Sequence, residues 1–310
     1  HVHGIVNILS SSLASGALCT IHENFDADRT WREFTANNLT LYMAVPTIYS
    51  KLMEYFDTSS VEDKTMMSFA AKKMRLTVSG SSALSVSLFD RWEEITDQAM
   101  LERYGMTETG MILSNPLKGD RRKGTVGYPL SGVSVRLVDE NMNDVDEGIS
   151  GELLVKGDGV FSQYWDRSKE TAEVFHDGWF KTGDLAVIED GYYRLLGRIS
   201  DDIIKSGGHK ISALEIEETL RTHKKVRDVC VVSIHHDVWG ETICAILIPE
   251  DSVFDLDEFM VWMKTNMISH KRPRKIKLMD DFPRNRLGKV IKSEVRGLFE
   301  KETENLDDDT

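Results

Sequence analysis

Apolar residues recur at intervals of three and four in residues 84–99, which predicts a helix with one buried face. The positions that make up this face are Leu84, Leu88, Trp92, Ile95 and Ala99. Short apolar runs at 75–78 and 100–104 flank the helix and are typical of strands, and we expect the second strand to break at Gly105. The order strand, helix, strand indicates a parallel α/β unit whose strand ends carry loops available to a ligand.

Short alternating runs separated by glycine characterise the middle of the chain. They predict antiparallel strands at 133–137, 152–156 and 192–196, arranged as a small barrel or a curled sheet. The most apolar stretch, residues 4–21, carries Asn7 and several hydroxyl side chains, which suits a membrane span poorly. We therefore expect a buried helix of a larger domain there, and no transmembrane segment.

A third pattern begins after Arg198. Ser212 and Glu215 have the spacing of a capping box. Ile211 and Ile216 fit a hydrophobic staple around it, so we predict that a helix begins at the next residue, 213. The elements expected after this helix are strands at 226–234 and 242–248 and helices at 255–267 and 290–300.

Together these patterns predict a multi-domain α/β fold. Residues 1–199 are expected to form the carboxyl-terminal part of a large α/β domain that includes the small β-barrel-like region. Residues 200–301 are expected to form a small α+β domain, and residues 302–310 an acidic, disordered tail. A chain of 310 residues buries about three quarters of its unfolded surface, so its core needs no disulfides.

The charge balance argues against nucleic acid as a partner. Lys and Arg number 38 and Asp and Glu number 51, and the resulting net charge of −13 repels a phosphate backbone. A local basic patch is still able to bind a small anion. Cys19, Cys230 and Cys244 have no metal-ligand spacing, so we expect free thiols in a reducing compartment.

The string Tyr104-Gly105-Met106-Thr107-Glu108 follows the second predicted strand and is the strongest candidate for chemistry. A threonine hydroxyl beside a carboxylate at a strand end is able to bind a phosphate oxygen and, through Mg²⁺, its counter-charge. The alternative is a structural loop in which Thr107 caps a helix and Glu108 faces water. The spacing by itself leaves both interpretations open.

Three downstream residues have side chains that suit a nucleotide. The Asp184 carboxylate is able to accept hydrogen bonds from two ribose hydroxyls. The Arg198 guanidinium suits the same ribose or a phosphate, and Lys289 follows a glycine turn. Each signal is weak alone, because a lysine among several basic residues is usually a solvated surface residue.

In this order, the motifs closely resemble those of the adenylate-forming superfamily of acyl-CoA synthetases, luciferases and peptide-synthetase adenylation domains. The likeness extends from the His1-Val2-His3-Gly4 string to Lys289. It implies that a carboxylate attacks the α-phosphate of ATP to give an acyl-adenylate and pyrophosphate, and that the thiol of coenzyme A then displaces AMP. The implied ligands are a small carboxylate, ATP, Mg²⁺ and coenzyme A.

The resemblance also implies a role for individual residues. Lys289, Thr107 and His3 are the implied catalytic residues: the adenylation lysine, the α-phosphate ligand and a wall of the acyl and adenylate pocket. Tyr104 is expected beside the adenine, and Glu108 is expected to hold Mg²⁺. The implied nucleotide contacts are Ser79, Gly80, Ser81, Ser82 and Ala83 along the adenine, Tyr104, Gly105, Met106 and Thr107, Asp184 and Arg198 at the ribose, and Lys289.

The same resemblance implies that the small domain is mobile, because Lys289 must swing in for the first step and out for the second. The coenzyme A tunnel is expected along Gly207, Gly208, His209 and Lys210, where small residues let the pantetheine arm approach the backbone. The segment after Arg198 is one residue longer than is usual in the superfamily. The hinge is therefore expected at Ser200 or Asp201, with Asp201 favoured.

Residues 101–110 and the Ser79-Gly80-Ser81 string look most like those of malonyl-CoA and methylmalonyl-CoA synthetases. The superfamily commonly has a small residue before its Tyr-Gly pair, whereas this chain has Arg103. A buried arginine needs an anion, and its fork matches a carboxylate, so Arg103 is expected to bind the distal carboxylate of a short dicarboxylate. The alternatives are a surface ion pair of Arg103 with Glu102 or a neighbour, and a medium-chain fatty acid as the substrate.

The superfamily's Ser/Thr/Gly-rich loop, which wraps the β- and γ-phosphates, has no counterpart in this chain. We therefore expect the chain to be a carboxyl-terminal piece of a considerably longer enzyme. A rival interpretation is a truncated, catalytically silent protein that binds a nucleotide or a partner. The resemblance suggests the mitochondrial matrix, with the cytoplasm as the other possibility, and a monomer or weak dimer.

Overall fold

The computed structural model describes residues 3–36, 39–251, 253–285 and 289–307, with side chains for residues 4–300 of these. Three five-stranded sheets organise the described residues. The chain divides into two compact units. The first unit is His1–Thr182 with Ala186–Leu195, and the second is Gly183–Leu185 with Leu196–Thr310. Several sheets with interspersed helices confirm the predicted mixed α/β class. The domain boundaries drawn from the sequence stay predictions.

The first sheet has the strand order β1-β2-β3-β4-β5. Its strands are β1 Leu41–Ala44, β2 Leu76–Ser79, β3 Leu101–Met106, β4 Gly110–Ser114 and β5 Tyr128–Pro129. The helices of the first unit are α1 Ser11–Ala14, α2 Ala27–Ala36, α3 Pro46–Thr58, α4 Val61–Lys73, α5 Val86–Thr96 and α6 Ser168–Val174. β1, β2 and β3 are parallel, and α5 connects β2 to β3, so the predicted strand-helix-strand unit is confirmed.

Strand β3 does not break at Gly105, in contrast to the prediction. It continues to Met106, with a shift in its pairing with β4 between Tyr104 and Gly105. A Cβ atom at Gly105 would lie only 2.1 Å from the Gly110 carbonyl oxygen. The glycine therefore permits the close approach of β4 rather than ending the strand.

The core of this sheet unit is built on aromatic rings between the helices and β2. Trp92 of α5 is fully buried, and its Nε1 donates a hydrogen bond to Thr77 Oγ1 at 3.3 Å. The Trp31 ring stacks on Trp92 at 6.1 Å between centroids, and the Tyr49 ring meets it edge-on at 4.9 Å. The predicted apolar face of α5 is thus confirmed as the face that enters the core.

The expectation of a buried helix over residues 4–21 is wrong for this structure. A π-helical segment, His3–Ser10, and α1 occupy its first part. Ile5, Leu13 and Leu18 are 60%, 67% and 95% exposed. An apolar helix face is buried only where another element covers it, and these side chains stay open to solvent. Among the described residues, no helix is both long and apolar enough to cross a membrane.

The second sheet is open rather than closed. Its strand order is β10-β9-β7-β6, with β8 against β9. The strands are β6 Val133–Val138, β7 Gly151–Gly157, β8 Phe175–His176, β9 Trp179–Glu189 and β10 Tyr192–Arg198. The three strands predicted in this region are confirmed, and of the two arrangements expected, the described residues do not form the barrel.

The third sheet lies in the second unit and combines antiparallel hairpins with one parallel strand. Its strands are β11 Ile203–Ser206, β12 His209–Ser212, β13 Val226–His236, β14 Gly240–Pro249 and β15 Lys275–Leu278. The helices are α7 Ala213–Arg221, α8 Leu256–Asn266, a short 3₁₀ turn Ser269–Lys271, and α9 Lys292–Asp307. β13 pairs with β14 along almost its whole length, and β15 runs parallel to β14.

Helix α7 begins where the capping pattern predicts. The Ser212 side chain accepts a hydrogen bond from the Glu215 amide at 3.2 Å, and Ile211 and Ile216 are buried in the same apolar cluster. The Glu215 carboxylate forms an ion pair with Lys271 Nζ at 2.5 Å. The cap and the staple together determine the start of this helix.

The acidic end of the chain differs from the expected disordered tail. Helix α9 begins at Lys292 and continues to Asp307, five residues beyond the predicted start of the tail at Glu302. Glutamate, lysine and leucine are strong helix formers, so the polar composition of this segment is compatible with a helix.

The cysteines are free, as the sequence indicates, and two of them are expected to be unreactive in the folded chain. Burial raises the pKa of the Cys230 thiol to about 12 and that of the Cys244 thiol to about 11. Because the thiolate is the nucleophile, neither side chain reacts appreciably at pH 8. A thiol reagent should therefore label Cys19 alone in the native chain and all three thiols in denaturant. Fast native labelling of Cys230 would contradict this packing.

Candidate nucleotide-binding and acyl-binding site

Strands β2 and β3 are parallel neighbours in the first sheet, so both end toward the same edge, with β3 extending four residues beyond the end of β2. Ser79, the last residue of β2, pairs in register with Glu102 of β3. The loop 80–83 therefore leaves the sheet beside the segment that leads to Thr107. Ligands of open α/β sheets commonly bind at such an edge. The two groups of residues expected at the adenine and at the α-phosphate therefore follow adjacent parallel strands that end toward the same edge of the sheet.

The loop after β2 is shaped by its backbone and by one buried carboxylate. Ser81 has a positive φ of 71°, and Ser82 and Ala83 are exposed. Glu102 Oε1 accepts a hydrogen bond from the Leu84 amide at 3.1 Å, which fixes the end of the loop. Ser79 is fully buried, and its Oγ makes no hydrogen bond within the described residues.

Thr107 and Glu108 lie in the turn between β3 and β4, not at the start of a helix. The Thr109 amide donates to the Met106 carbonyl at 3.2 Å and closes this turn. Thr107 is exposed, whereas Glu108 is half-buried. The structure therefore contradicts the alternative in which Thr107 caps a helix.

The loop 158–167 supports Glu108 and is a feature that the sequence analysis missed. Tyr164 donates its hydroxyl proton to Glu108 Oε1 at 3.1 Å, and the Phe161 amide donates to the Glu108 carbonyl at 2.7 Å. The two rings pack together at 4.7 Å. No spacing in the sequence connects residues this far apart, so only the fold could identify these contacts.

Arg103 is half-buried on β3, on the opposite side of the strand from its neighbour Glu102. Its Nη2 lies 3.1 Å from Met43 Sδ, and a thioether is a weak acceptor. Burial lowers the pKa of the Arg103 guanidinium, and the nearby Tyr49 hydroxyl opposes this effect. Met43 and Tyr49 come from β1 and α3, which the sequence analysis did not predict. The apolar run before Pro46 at the start of α3 was the available signal.

Tyr104 and Met106 follow Arg103 on the same strand. Both side chains are half-buried and pack against the apolar cluster between β4 and the second sheet. The Tyr104 hydroxyl lies 3.9 Å from Met106 Sδ. These contacts fix the position of the Tyr104 ring on β3.

In the second unit, the two residues expected at the ribose are adjacent. Arg198 Nε contacts Asp184 Oδ1 at 3.1 Å, and Asp184 is 8% exposed. The Ile199 amide donates to the Gly183 carbonyl at 2.9 Å. A Cβ atom at Gly183 would lie 3.2 Å from Arg198 Nη1, so the glycine gives the guanidinium room.

The residues expected at the hinge form a tight turn after Arg198. The amides of Asp201 and Asp202 both donate to the Arg198 carbonyl, at 3.2 and 2.8 Å. Ser200 and Asp201 are exposed, and the Ser200 hydroxyl donates to Asp201 Oδ2 at 3.0 Å. Asp202 Oδ2 accepts the Arg198 amide at 2.8 Å, a contact that the sequence analysis missed.

The expected coenzyme A residues lie on the β11–β12 hairpin: Gly207 and Gly208 form its turn, and His209 and Lys210 begin β12. Gly207 and Gly208 have φ values of +57° and +80°, as a two-residue turn of this kind requires. The ring of His209 stacks on His270 at 4.6 Å. Lys210 pairs in register with Lys205 and is exposed.

Lys289 is exposed on a second hairpin of the same unit. Its amide donates to Asn285 Oδ1 at 3.0 Å, and the Asn285 amide donates back to the Lys289 carbonyl at 2.9 Å. Residues 286–288 of this string lie outside the described residues. His1 and Val2 also lie outside them, as does the side chain of His3, the remaining expected catalytic residue.

Comparisons with known proteins show the family to which the chain belongs. A profile of the AMP-binding enzyme family matches residues 1–165, and one of the AMP-binding enzyme C-terminal domain matches residues 215–289. The chain is 41% identical to mitochondrial malonate–CoA ligase ACSF3 of Bos taurus and 40% identical to a malonate–CoA ligase of Arabidopsis thaliana. The matches cover 97% of this chain but 56% and 53% of those proteins, so the chain spans little more than half their length.

A solved structure gives the same result. The ATP-bound crystal structure of MatB from Rhodopseudomonas palustris superposes with a TM-score of 0.88 at 33% identity, over 96% of this chain and 58% of that one. The resemblance to adenylate-forming enzymes, and among them to malonyl-CoA synthetases, is confirmed. The chain belongs to the AMP-binding enzyme family.

Proposed function

We propose that the protein containing this chain is an ATP-dependent carboxylate–CoA ligase that makes an acyl-adenylate and then an acyl-CoA from malonate or methylmalonate. The observation that carries the proposal is that the loop after Ser79 and the Thr107 turn follow two adjacent parallel strands, β2 and β3, toward the same edge of the sheet, with Arg103 on β3. The curated relatives at about 40% identity act on malonate by name, which supports the same acid.

At this edge, Thr107 is the proposed ligand of the α-phosphate, since its hydroxyl is exposed at the end of β3. Residues Ser79–Ala83 and Tyr104 are the proposed adenine contacts. In the second unit, the paired Asp184 carboxylate and Arg198 guanidinium are the proposed ribose contacts, since the ion pair already orients both groups.

A Mg²⁺ ion fits the chemistry of Glu108. Mg²⁺ is usually bound by one or two carboxylates together with substrate phosphates, so one oriented carboxylate is sufficient. The Tyr164 hydroxyl orients that carboxylate at 3.1 Å. The described residues hold no cluster of three or more His, Cys, Asp or Glu side chains that could bind a metal without such phosphates. The ion would supply positive charge to the phosphate oxygens.

Arg103 is the proposed ligand of the distal carboxylate of the substrate. Its guanidinium lies half-buried beside the Met43 thioether, where burial lowers its pKa. An anionic group brought to this site would offset the cost of that burial and accept two parallel hydrogen bonds. A monocarboxylic fatty acid has no group for this position.

The second unit would deliver the remaining chemistry. Lys289 is the proposed adenylation lysine, and the segment Gly207–Lys210 is the proposed coenzyme A passage. The unit must therefore alternate about Ser200 or Asp201, with Asp201 favoured. We also propose a mitochondrial location, because the ACSF3 relatives carry that designation. A role in fatty acid metabolism and a monomeric or weakly dimeric state are further parts of the proposal.

Pyrophosphate release by the full-length protein across a panel of acids tests the proposal. We expect malonate and methylmalonate to support ATP- and Mg²⁺-dependent release, and butyrate and dodecanoate to support far less. Formation of the matching acyl-CoA should follow when coenzyme A is added. Preference for dodecanoate would indicate a medium-chain synthetase instead, and AMP binding without release for any acid would indicate a silent binding protein.

A further inference from the structure

The hairpin that carries Lys289 is closed at its base by main-chain contacts. Arg284 and Val290 form an isolated β-bridge on either side of it, and the Ile291 amide donates to the Pro283 carbonyl at 2.8 Å. The lysine itself is exposed. The hairpin has two arms: the first arm is residues 283–285, and the second arm is residues 289–292. The direction of the Lys289 side chain therefore depends on how these two arms are anchored to the rest of the second unit.

The second arm is anchored by Lys292, three residues after Lys289. Lys292 Nζ lies 2.5 Å from Asp202 Oδ1, 3.4 Å from Glu217 Oε1 and 3.2 Å from the Val231 carbonyl oxygen. Burial alone would lower the pKa of Lys292, but the carboxylates of Glu217 and Asp202 outweigh it and raise the pKa above its ordinary range. The ammonium group is therefore a fixed, charged centre inside the unit.

The carboxylate that binds Lys292 also closes the proposed hinge turn. Asp202 Oδ2 accepts the Arg198 amide at 2.8 Å, while Asp202 Oδ1 binds Lys292. A Cβ atom at Gly197 would lie 2.4 Å from the Asp202 Cβ, so the turn is tightly packed around this aspartate. One side chain thus connects the turn to the arm of the lysine hairpin.

The first arm is anchored through a related set of charges. Arg284 Nη2 lies 3.4 Å from Asp228 Oδ2, and Asp228 Oδ1 accepts a hydrogen bond from Arg221 Nε at 3.2 Å. Arg221 Nη2 also contacts Glu217 Oε2 at 3.4 Å. Because Glu217 is the second carboxylate at Lys292, the network links both arms of the hairpin to helix α7.

We propose that Lys292 and Arg284 are positioning residues for Lys289: they hold the two arms of its hairpin, and Lys292 ties that hairpin to the turn at residues 198–202. This inference rests on the proposed function, since it needs Lys289 to act in adenylation. Lys292 and Arg284 expose only 19% and 26% of their side chains, and each is engaged by carboxylates, so both act on the reaction through the hairpin.

Lys292→Met in the full-length protein tests the inference, because methionine fills similar space without the charge. We expect pyrophosphate release from malonate and ATP to fall about 10²-fold in kcat, since a displacement of about 1 Å costs that much. The KM for ATP should change little. Thioester formation from preformed malonyl-adenylate and coenzyme A should stay near the wild-type rate, and Lys292→Arg should restore most of the adenylation rate.

A loosened small domain would slow both half-reactions, so an equal loss in the two would overturn the inference. Arg284→Met gives a second, independent measurement on the other arm, with the same selective loss expected. Lys225→Met is the matched control, because it removes the exposed 2.7 Å ion pair with Glu258 in the same unit and should leave both half-reactions unchanged.

Lys289→Ala in the same assay separates this inference from the proposed function. If Lys289→Ala keeps full pyrophosphate release, the role proposed for that lysine is wrong. If Lys289→Ala loses release while Lys292→Met and Arg284→Met keep it, only the positioning role is wrong.

Discussion

Replacing Lys289 by alanine should abolish most adenylation while sparing the second half-reaction. Negative charge builds up on the carboxylate and α-phosphate oxygens in the first step, and the lysine is the cation proposed to meet it. Removing such a group typically costs about 10²–10³ in rate. The lysine is exposed on its hairpin, so the substitution should not change the stability of the second unit. The measurements are pyrophosphate release and thioester formation from preformed acyl-adenylate.

The matched control is Lys224→Ala, which removes an exposed lysine from the same unit. It should leave both half-reactions at the wild-type rate, because a single exposed charge contributes little. A Lys289→Ala variant that adenylates malonate at the wild-type rate would rule out the proposed role. A variant that loses both half-reactions equally would also argue against a lysine that serves the first step alone.

Replacing Arg103 by alanine should change which acid the enzyme prefers. The proposed hydrogen bonds to the distal carboxylate are charge-assisted and are worth about 3 kcal/mol at most, which corresponds to about 10²-fold in kcat/KM for malonate. Butyrate has no distal carboxylate, so its kcat/KM should stay level or rise as the buried charge is removed. The measurement is the ratio of kcat/KM for the two acids.

Arg121→Ala controls for the loss of a partly buried arginine in the same unit. Burial lowers the pKa of Arg121 as it does that of Arg103. Its guanidinium, however, donates to the main-chain carbonyls of Pro116, Ala99 and Leu117, at 3.2, 2.7 and 2.9 Å. This variant should lower stability without changing the acid ratio. Equal losses on malonate and butyrate in Arg103→Ala would remove the assignment of Arg103.

Local patterns in the sequence were sufficient to predict much of the fold. The parallel strand-helix-strand unit around α5 and the start of α7 at its Ser212 cap were predicted and are present. Two predictions were wrong: that the strand ends at Gly105 and that the last helix ends before the acidic tail. In the first case a glycine permits close strand approach, and in the second a polar composition also suits a helix. Composition alone does not distinguish these outcomes.

For the candidate site, too, the sequence predicted some features and left others undetermined. The order of the motifs predicts which residues carry the nucleotide chemistry, and these roles stay predictions; the structure shows that Asp184 and Arg198, both expected at the ribose, lie together. The partners of the site residues were not predicted. Tyr164 orients Glu108 from 56 residues away, Met43 lies beside Arg103 from 60 residues away, and Lys292 reaches Asp202 across 90 residues.

By itself, the sequence determined the helices with capped ends, the strands with alternating faces, the negative net charge and the order of the motifs. Each of these depends on interactions between residues a few positions apart, and spacing records such interactions directly. Only the tertiary structure decided which apolar faces are covered and which distant side chain meets each charged group. Those contacts depend on how whole elements pack, and residues 4–21 illustrate this, since their apolar pattern stays exposed where no described element packs over it.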